Sequence, residues 1–346
     1  MNSNYFNRIS NCFLIAEIGV NHNGDLGLAK EMILEAKNAG ADAVKFQTFT
    51  ADSLVTKNTP KVCYQQNTTS PEESHYEMIK RLELGRPQHV ILFDYCVNIG
   101  IDFISTPYDL ESARFLNDIG VKLFKTASAD LVDLPLQAYI ASTGKPALVA
   151  TGMASLGEVE QVVNIFDELN NPNLLLLHCV SNYPCSDMAL NLRAMNTLAS
   201  AFGKPVGFSD HSEGPLAAAL SVALGVKVIE KHFTLDKNML GPDQKTSSTP
   251  DEFRELVQHV RRSEVMLGST KKARQPEESQ MASVSRKSLV LAHAIKAGQT
   301  LVFNDLHLMR PGTGIGASFI GFIVGKRAIK DLEVLHQLSW SDLEGG

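Results

Sequence analysis

The chain has 346 residues, of which 44% are hydrophobic and 20% are charged, a composition that is ordinary for a globular protein and excludes a disordered chain. Its formal net charge is -6 and its pI is about 5.9, so we expect no nucleic-acid partner, and any anionic ligand must be bound by locally placed cations. The length suits one large domain and a small second domain.

Residues 1–11 contain no apolar run, and no segment reaches the ~18 apolar residues that a membrane span requires. The cysteines are odd in number and show no Cys-x-x-Cys spacing, which argues against both a disulfide framework and a structural zinc site. They are Cys12, Cys63, Cys96, Cys179 and Cys185. We therefore expect reduced thiols, a cytoplasmic location and no membrane partner.

Short β-rich runs alternate with amphipathic helical patterns between residues 12 and 267, which predicts an α/β protein with a parallel sheet built from βα units. Each run stays apolar until its last residues, as expected of strands that are covered on both faces. The predicted strands are residues 13–18, 43–47, 102–106, 122–126, 147–151, 174–179, 206–209 and 228–232. Eight such units predict a (β/α)8 TIM barrel over residues 1–268, with its active site at the C-terminal ends of the strands.

Capping signals mark several helices between these strands. Asp25 is the expected N-cap of the first helix. Ser155 with Glu158, and Thr249 with Glu252, have the Ser/Thr-x-x-Glu spacing of a capping box, in which each side chain bonds the other residue's backbone NH group. These helices pack the barrel and need no functional explanation.

The C-terminal part of the chain has a different pattern. Residues 269–282 have the composition of a linker. Short β-type runs with turn signals then follow at residues 288–295, 300–309 and 322–329, which predicts a small β-rich domain over residues 283–346. A domain of that size has little hydrophobic core of its own, so we expect it to pack against a partner subunit.

Polar or ionisable residues stand at the ends of the predicted barrel strands, although the stability of a barrel does not require them there. They are Glu17, Lys45, Gln47, Thr106, Lys125, Thr151, His178, Ser209, His211, Glu230 and His232. Adjacent strands bring His211 and His232 to one rim, and such imidazoles suit a divalent transition ion that completes its shell with water and substrate. The alternative is a pair of hydrogen-bonded core histidines.

A set of motifs runs through the chain. They are AEIGVNHNGD (16–25), AVKFQTF (43–49), STPYDLES (105–112), TGMA (151–154), LLHC (176–179), GFSDHS (207–212), EKHFTLDKNMLGPD (230–243) and RPGTGI (310–315). In this order and spacing the chain resembles the sialic acid synthase family, that is, bacterial N-acetylneuraminate and N,N'-diacetyllegionaminate synthases. The C-terminal domain is similar to the antifreeze-like (SAF) module of these synthases.

The resemblance implies a transferase that condenses phosphoenolpyruvate with an N-acetylated aldose to give a sialic-acid-type nonulosonic acid and phosphate. The aldose would be N-acetylmannosamine or 2,4-diacetamido-2,4,6-trideoxymannose. The resemblance also implies that His211 and His232 bind the metal, with Mn²⁺ expected and Mg²⁺ or Co²⁺ as alternatives. The residues implied for phosphoenolpyruvate are Lys45, Thr106, Lys125, Ser128, Ser181 and Ser209.

The residues implied for the sugar are Gln47, Tyr183, Asp243 and Arg310. In the family the small domain, which carries Arg310, caps the active site of the other subunit. A domain-swapped homodimer is therefore implied. Glu17 and Asp130 are the carboxylates implied for the proton transfers, since both follow barrel strands and carboxyl groups serve as general acids and bases.

Several positions depart from the commoner family pattern, including Ala129 in place of glycine and the stretch at residues 180–183. Asp130 stands where glutamate is usual, Ala150 replaces a serine before TGM, and Gln244 stands where a histidine often follows GPD. A misplacement of about 1 Å in an active site costs about a hundredfold in rate. Because related members of the family carry comparable substitutions, we expect a changed sugar specificity and not lost activity.

Several alternatives compete with this interpretation. A synthase of the 3-deoxy-octulosonate kind would need further basic residues for a sugar phosphate. A degenerate barrel that only binds a sugar or metal would account for Ala150 and Asp130. The pseudaminate branch usually lacks the EIGVNHNG form of residues 17–24. The segment at residues 64–84 resembles legionaminate-type and some neuraminate-type enzymes and does not separate them.

Overall fold

The structure is a computed structural model that describes residues 4–70 and 72–345, without the side chains of residues 63, 64 and 67. It divides into two compact units, Met1–Gly268 and Ser269–Gly346. The reduced thiol expected at Cys63 lies outside the described part of the chain. The same holds for residues 1–3 of the polar N-terminal segment. The described cysteines are unpaired, and they are Cys12, Cys96, Cys179 and Cys185.

The first unit holds an eight-stranded parallel sheet. Its strands are β1 (Phe13–Gly19), β2 (Ala43–Thr48), β3 (Asp102–Pro107), β4 (Phe124–Thr126), β5 (Ala147–Ala150), β6 (Leu174–Cys179), β7 (Val206–Asp210) and β8 (Val228–His232). The hydrogen-bonded order is β3-β2-β1-β8-β7-β6-β5-β4, and β3 lies against β4 at the seam. The first strand therefore pairs with the last, and the predicted (β/α)8 barrel is confirmed.

Helices lie in the connections that follow these strands, and most of them pack against the outside of the sheet. They are α1 (Leu26–Asn38), α2 (Ala51–Leu54), α3 (Cys63–Thr68), α4 (His75–Leu82), α5 (Arg86–Ile99), α6 (Leu110–Asp118), α7 (Leu134–Ser142), α8 (Leu156–Glu168), α9 (Asp187–Leu190), α10 (Ala194–Phe202), α11 (Leu216–Ala223) and α12 (Pro250–Leu267). As predicted, Asp25, Ser155 and Thr249 cap α1, α8 and α12 by accepting hydrogen bonds from backbone NH groups. Within residues 4–70 and 72–345, no helix has the length and apolar character that crossing a membrane demands.

Side chains alternate along each barrel strand, which sorts them into two layers. The outward layer packs against the helices and includes Leu14, Val44, Phe103, Val149, Leu176 and Phe208. The inward layer fills the barrel and includes Ile15, Ala43, Ile104, Leu123, Leu148, Leu175 and Val228. Two residues further along several of these strands, the inward side chain becomes polar, which places polar groups on the C-terminal face.

The second unit has its own apolar cluster, which includes Leu289, Ile295, Leu301, Ile323 and Leu338. Its regular elements are α13 (Ser279–Ser285), β9 (Ser288–Leu291), β10 (Leu306–Met309) and α14 (Ile320–Ile323). The strands β9 and β10 pair antiparallel. The predicted strand at residues 322–329 is wrong, because Gly325 adopts φ +94° there and only single bridges form beyond it.

Short 3-10 helices complete the described elements. They are Tyr5–Arg8, Ser128–Val132, Gln244–Thr246, Pro276–Glu278, Phe303–Asp305, Ala317–Phe319 and Trp340–Asp342. One of them, Pro276–Glu278, leads directly into α13 within the segment expected to be a linker. Another, Ser128–Val132, follows β4 and carries two of the predicted site residues.

Candidate active site

A cavity of about 740 Å³ opens at the C-terminal face of the barrel. The predicted site residues that line it are Glu17, Lys45, Gln47, Thr106, Lys125, Ser128, Ser181, Tyr183, Ser209, His211, His232 and Asp243. They come from strand ends and from the loops that follow, because the carboxyl ends of parallel strands meet at one face of a barrel. Of the predicted site residues, Asp130 and Arg310 do not line this cavity.

Four buried charged groups alternate in sign across the floor of the cavity. The Lys45 Nζ atom lies 2.6 Å from Glu17 Oε2 and 3.7 Å from Glu230 Oε1. The Lys125 Nζ atom lies 3.3 Å from the same Glu230 oxygen. Buried charges are stable in a protein only when they are paired, so each lysine here depends on a carboxylate.

The same cluster drives the pKa values of its two carboxyl groups apart. Burial raises the pKa of Glu17, although the Lys45 charge opposes this effect. Burial also acts upward on Glu230, but the charges of Lys125 and Lys45 outweigh it and lower the pKa of Glu230 to about 2. When two neighbouring carboxyl groups have different pKa values, one can act as an acid while the other stays ionised. Glu17 is therefore the group that takes up a proton first, and Glu230 stays ionised.

Glu230 is a site residue to which the sequence motifs assigned no role. Its Oε1 accepts a hydrogen bond from the Ser209 hydroxyl at 3.1 Å, in addition to its lysine contacts. On β8 it lies two residues before His232, so both side chains point into the barrel. This alternation is the signal that could have identified it, because Lys231 between them must point outward.

Hydroxyl groups line the cavity beside the lysines, and two of them lie close to Gly152. The Lys45 Nζ atom donates to Thr106 Oγ1 at 3.2 Å, and Ser128 Oγ accepts from the Gly152 NH group at 3.0 Å. A Cβ atom at Gly152 would collide with the Ser181 hydroxyl and lie 2.7 Å from Ser128 Oγ. The TGMA turn therefore requires glycine, because only a residue without a side chain lets the two serine hydroxyls approach its backbone.

Two imidazoles form the next part of the site. The ring centroids of His211 and His232 lie 5.6 Å apart, and the Tyr183 ring lies 4.1 Å from the first and 5.5 Å from the second. The Nδ1 atom of His211 lies 2.8 Å from the Val180 carbonyl oxygen. That contact requires a proton on Nδ1, so in the neutral imidazole Nε2 carries the free lone pair. His232 Nδ1 is buried and has no hydrogen-bond partner among the described residues.

These two imidazoles fit a divalent ion that takes its other ligands from water and substrate. Among residues 4–70 and 72–345, no group of three or more His, Cys, Asp or Glu side chains is arranged to hold a metal. A closed structural site needs about four protein ligands, whereas catalytic sites leave positions open. Two imidazole ligands would therefore leave most coordination positions of a bound ion open.

A second buried ion pair lies on the outer side of β7 and β8, next to the residues that carry the imidazoles. Lys231 and Asp210 point outward from β8 and β7, and Lys231 Nζ lies 2.9 Å from Asp210 Oδ2. Asp210 Oδ1 accepts hydrogen bonds from the backbone NH (2.8 Å) and hydroxyl (2.6 Å) groups of Ser212. Lys231 also donates to the Ser212 carbonyl oxygen. This network fixes the chain on both sides of His211.

Asp130 lies in the 3-10 helix after β4, and its carboxyl group is set back from the cavity that Ser128 and Ala129 line. The aspartate side chain is one methylene shorter than the glutamate that the family pattern suggests. Its Oδ2 atom is buried and has no hydrogen-bond partner among the described residues. Burial, together with the charge of Asp133, raises the pKa of Asp130 to about 7. Arg310 is an exposed residue of the second unit.

Comparison with known proteins agrees with this geometry. Residues 32–272 match the sequence profile of the NeuB family, and residues 286–344 match that of the SAF domain. The chain belongs to the NeuB family. The expected relationship to sialic acid synthases, with a C-terminal SAF domain, is thereby confirmed.

This NeuB-family chain is 44% identical to the N,N'-diacetyllegionaminic acid synthase of Legionella pneumophila, over 96% of this chain and 95% of that protein. It is 42% identical to the protein of the same name from Campylobacter jejuni, over 92% of this chain and 96% of that one. Among solved structures, the N-acetylneuraminic acid (sialic acid) synthetase of Leptospira borgpetersenii in complex with citrate is 36% identical. The match has a TM-score of 0.71 and covers 78% of this chain and 90% of that one.

Ala150 and Gln244, which depart from the family pattern, do not line the cavity of this NeuB-family barrel. Ala150 belongs to the apolar cluster inside the barrel. Gln244 is fully buried, where it donates to the Asn21 carbonyl oxygen at 2.9 Å and accepts from the Thr234 hydroxyl. Gln244 thus connects the loops after β1 and β8 and does not line the cavity.

Two of the strand-end residues expected at the active face do not line the cavity. His178 points outward, where its Nε2 atom lies 2.7 Å from the Leu190 carbonyl oxygen and its ring stacks on Phe208. The Thr151 hydroxyl donates to the Leu177 carbonyl oxygen at 3.0 Å. Both have backbone partners of their own, because strand alternation turns every second side chain away from the barrel interior.

Proposed function

We propose that this chain is a phosphoenolpyruvate-dependent synthase that joins carbon 3 of phosphoenolpyruvate to the aldehyde carbon of an open-chain N-acetylated aldose. The products are a sialic-acid-type nonulosonic acid and inorganic phosphate. The observation that carries the proposal is the buried cluster of Lys45, Lys125, Glu17 and Glu230 beside two imidazoles in one cavity. The names of relatives that are 42% and 44% identical support the same reaction.

The two lysines suit the recognition of phosphoenolpyruvate, which is a compact trianion. Lysine ammonium groups act as point charges on phosphate and carboxylate, and partly desolvated ones act strongly. The hydroxyls of Thr106, Ser128 and Ser209 would complete the contacts, with Ser181 beside Gly152. A bound trianion adds negative charge next to Glu17, which favours the protonated form of that carboxyl further.

The reaction follows from this arrangement of groups. Carbon 3 of the enol attacks the aldehyde carbon, and the aldehyde oxygen becomes a hydroxyl after it gains a proton. Water then adds to carbon 2 and loses a proton. Phosphate leaves by cleavage of its bond to that carbon and takes the remaining hydroxyl proton, so that carbon 2 becomes a carbonyl carbon. We assign the proton transfers to Glu17, because it lines the cavity and burial raises its pKa. Asp130 remains a predicted second carboxyl group.

His211 and His232 would hold a divalent cation, with Mn²⁺ as the leading candidate and Mg²⁺ or Co²⁺ as alternatives. Such an ion supplies Lewis-acid polarisation of the sugar aldehyde. The free lone pair on His211 Nε2 and the partnerless Nδ1 of His232 support this assignment. We expect His211→Ala to reduce the metal content of the purified protein, as measured by elemental analysis, without unfolding the barrel.

For the sugar, we propose contacts with Gln47, Tyr183 and Asp243, which line the same cavity as Glu17. The Gln47 Nε2 atom donates to Glu17 Oε1 at 3.2 Å, so a sugar bound there would lie beside the proposed acid. We also propose that Arg310 reaches the cavity of the partner subunit in a homodimer, as the family resemblance implies.

The homodimer proposal has a direct test in mixed dimers. Arg310→Ala and Glu17→Gln chains are each expected to be inactive alone. If Arg310 acts across the dimer, each mixed dimer has one complete site out of two. Random re-association makes about half of the dimers mixed, so the mixture should recover about a quarter of wild-type activity. Recovery of no activity in verified mixed dimers would mean that Arg310 does not act in the partner's site.

The described cysteines bear on the cellular compartment. Cys12, Cys96, Cys179 and Cys185 are buried and unpaired. Disulfide bonds are common in oxidising compartments and rare in the cytosol. We therefore propose a cytoplasmic location, which fractionation of cells that produce the protein would test.

The experiment that tests the reaction measures phosphate release from phosphoenolpyruvate by the purified, metal-reloaded protein. N-acetylmannosamine and 2,4-diacetamido-2,4,6-trideoxymannose are supplied in parallel, with His211→Ala as the control. We expect release only when a sugar is present, and loss of that release in the variant. Failure of both sugars to stimulate release, with Mn²⁺ bound, would contradict the proposed function.

A further inference from the structure

One wall of the cavity is unlike its floor. The connection between β2 and β3 contributes a group of residues that we call the β2–β3 wall: Leu54, Val55, Val62, His75, Met78 and Ile79. It lines the same cavity as Glu17 and His232. The wall is mainly apolar, whereas the floor consists of paired charges and hydroxyls.

The wall is held by a small core of its own. Met78 and Leu82 of α4 pack with Val20 and Phe49 in a buried apolar cluster that is separate from the main core. The Tyr76 hydroxyl also donates to Asp52 Oδ1 at 2.6 Å, which ties α4 to α2. A wall packed in this way is largely pre-formed, as is usual for small-molecule sites.

His75 is a polar member of the wall, and Gln65 of the same connection also lines the cavity. It is the first residue of α4, and the capping box of Ser74 and Glu77 fixes the backbone there. Its Nδ1 atom is shielded from solvent and has no hydrogen-bond partner among the described residues. A shielded polar atom without a partner destabilises the folded chain. A ligand in the cavity is a natural source of the missing hydrogen bond.

The imidazole of His75 suits a neutral ligand. Burial, followed by the charge of Lys61, lowers the pKa of His75. A neutral imidazole has one N–H donor and one acceptor nitrogen, and it cannot hold an anion by charge. Apolar side chains around it favour methyl groups. An acetamido group combines both requirements, because it carries a methyl group beside an amide that donates and accepts.

We propose that the β2–β3 wall binds carbons 4 to 6 of the sugar, and that His75 hydrogen-bonds an acetamido group on carbon 4. This inference rests on the proposed function. It predicts a preference for a 6-deoxyhexose with two acetamido groups over N-acetylmannosamine. The latter would place its carbon 6 hydroxyl against apolar side chains without a hydrogen-bond partner, and its carbon 4 hydroxyl would bring no methyl group to them.

The test compares His75→Leu, His75→Asn and wild type with each sugar. His259→Leu is the matched control, because His259 lies on the exposed side of α12 and contacts Glu255. Wild type should have at least a tenfold higher kcat/KM with 2,4-diacetamido-2,4,6-trideoxymannose than with N-acetylmannosamine. His75→Leu should raise the KM for the diacetamido sugar about tenfold, as expected for one lost hydrogen bond.

The KM for phosphoenolpyruvate and the kcat should remain unchanged in His75→Leu. His75→Asn should restore part of the sugar affinity, which a merely structural role of His75 would not explain. Equal use of the two sugars by wild type, or an equal effect of His75→Leu on both sugars, would overturn the inference.

A binding measurement separates failure of this inference from failure of the proposed function. The open-chain alditol of the diacetamido sugar is titrated calorimetrically into wild type and His75→Leu in the presence of Mn²⁺. If neither sugar supports phosphate release, the proposed function fails. About tenfold weaker alditol binding by His75→Leu would still support the subsite. Equal binding by the two proteins, or no binding by either, would overturn it.

Discussion

The floor of the cavity and the β2–β3 wall line the same space, but different forces hold them in place. On the floor, parallel strands fix the backbone and each buried charge has an opposite charge 2.6–3.7 Å away. In the wall, a small apolar cluster holds short helices. Removal of a paired buried charge is costly, whereas apolar positions of similar volume exchange more freely. The comparison suggests that the floor determines the reaction and the wall determines which sugar enters it.

The largest effect should follow from a change on the floor. Glu17→Gln keeps the shape of the side chain but removes the proton that we assign to it. We expect kcat to fall about a thousandfold, within the range for general acid–base catalysis, with little change in the sugar KM. Steady-state kinetics checks this result, with the exposed Glu160→Gln of α8 as the control. A kcat within tenfold of wild type would contradict the assignment.

A smaller loss should follow at the turn after β5. Gly152→Ala adds a methyl group that would collide with the Ser181 hydroxyl. We expect about a hundredfold loss of kcat/KM for phosphoenolpyruvate, as for a misplacement of about 1 Å. Gly157→Ala is the matched control, because a Cβ atom at that position meets nothing within 4 Å. Equal activity of the two variants would show that the serine hydroxyls do not hold phosphoenolpyruvate.

The wall should respond in a different way. Met78 is fully buried, so Met78→Ala leaves a cavity and should lower the free energy of unfolding by about 2–4 kcal/mol. We expect the sugar KM to rise several-fold and the phosphoenolpyruvate KM to stay the same. Met188→Ala, at a side chain that is 93% exposed, is the control for chemical denaturation and kinetics. A parallel rise in both KM values would remove the distinction between floor and wall.

The smallest effect should be a pH-dependent change at Asp130. Its pKa is about 7 in the folded chain and 3.8 in the unfolded reference, so the folded state binds more protons between these values. The contribution of Asp130 to stability therefore falls as the pH rises from about 4 to 7. Asp130→Asn should be more stable than wild type by about 2 kcal/mol at pH 8 and no more stable at pH 4.

Thermal unfolding at both pH values checks this prediction, with the exposed Asp94→Asn as the control. An equal effect of Asp130→Asn at pH 4 and pH 8 would contradict it. The same variant decides the catalytic role predicted from the motifs. Because the carboxyl group is set back from the cavity, we expect less than a tenfold loss of kcat. A larger loss would show that Asp130 shares the proton transfers with Glu17.

Much of the barrel could be predicted from the sequence, because continuous apolar runs and capping residues are local signals. The predicted strand ends agree with the observed ones to within one or two residues, and the largest difference is that β4 begins at Phe124 instead of residue 122. The residues of the cavity floor followed from strand alternation and family motifs. The sequence did not predict which of these charged side chains form ion pairs. The distances between Lys45, Lys125 and Glu230 depend on how neighbouring strands are staggered.

The β2–β3 wall could not be predicted in the same way. Its helices α2, α3 and α4 have 4, 6 and 8 residues, too short to show a clear apolar period. Their contacts are with residues distant in sequence, such as Val20. The outward direction of His178 and the burial of Gln244 were missed for a related reason. A polar residue in a motif gives no sign of which backbone group it will contact.

The measurement that tests the central claim most directly follows the new carbon–carbon bond. Phosphoenolpyruvate labelled with ¹³C at carbon 3 is incubated with the Mn²⁺-loaded protein and 2,4-diacetamido-2,4,6-trideoxymannose, and the products are examined by NMR and mass spectrometry. The account predicts that the label appears in a methylene group joined to the former aldehyde carbon, with one phosphate released per product. Label recovered only in the methyl group of pyruvate, or only in unreacted phosphoenolpyruvate, would contradict it.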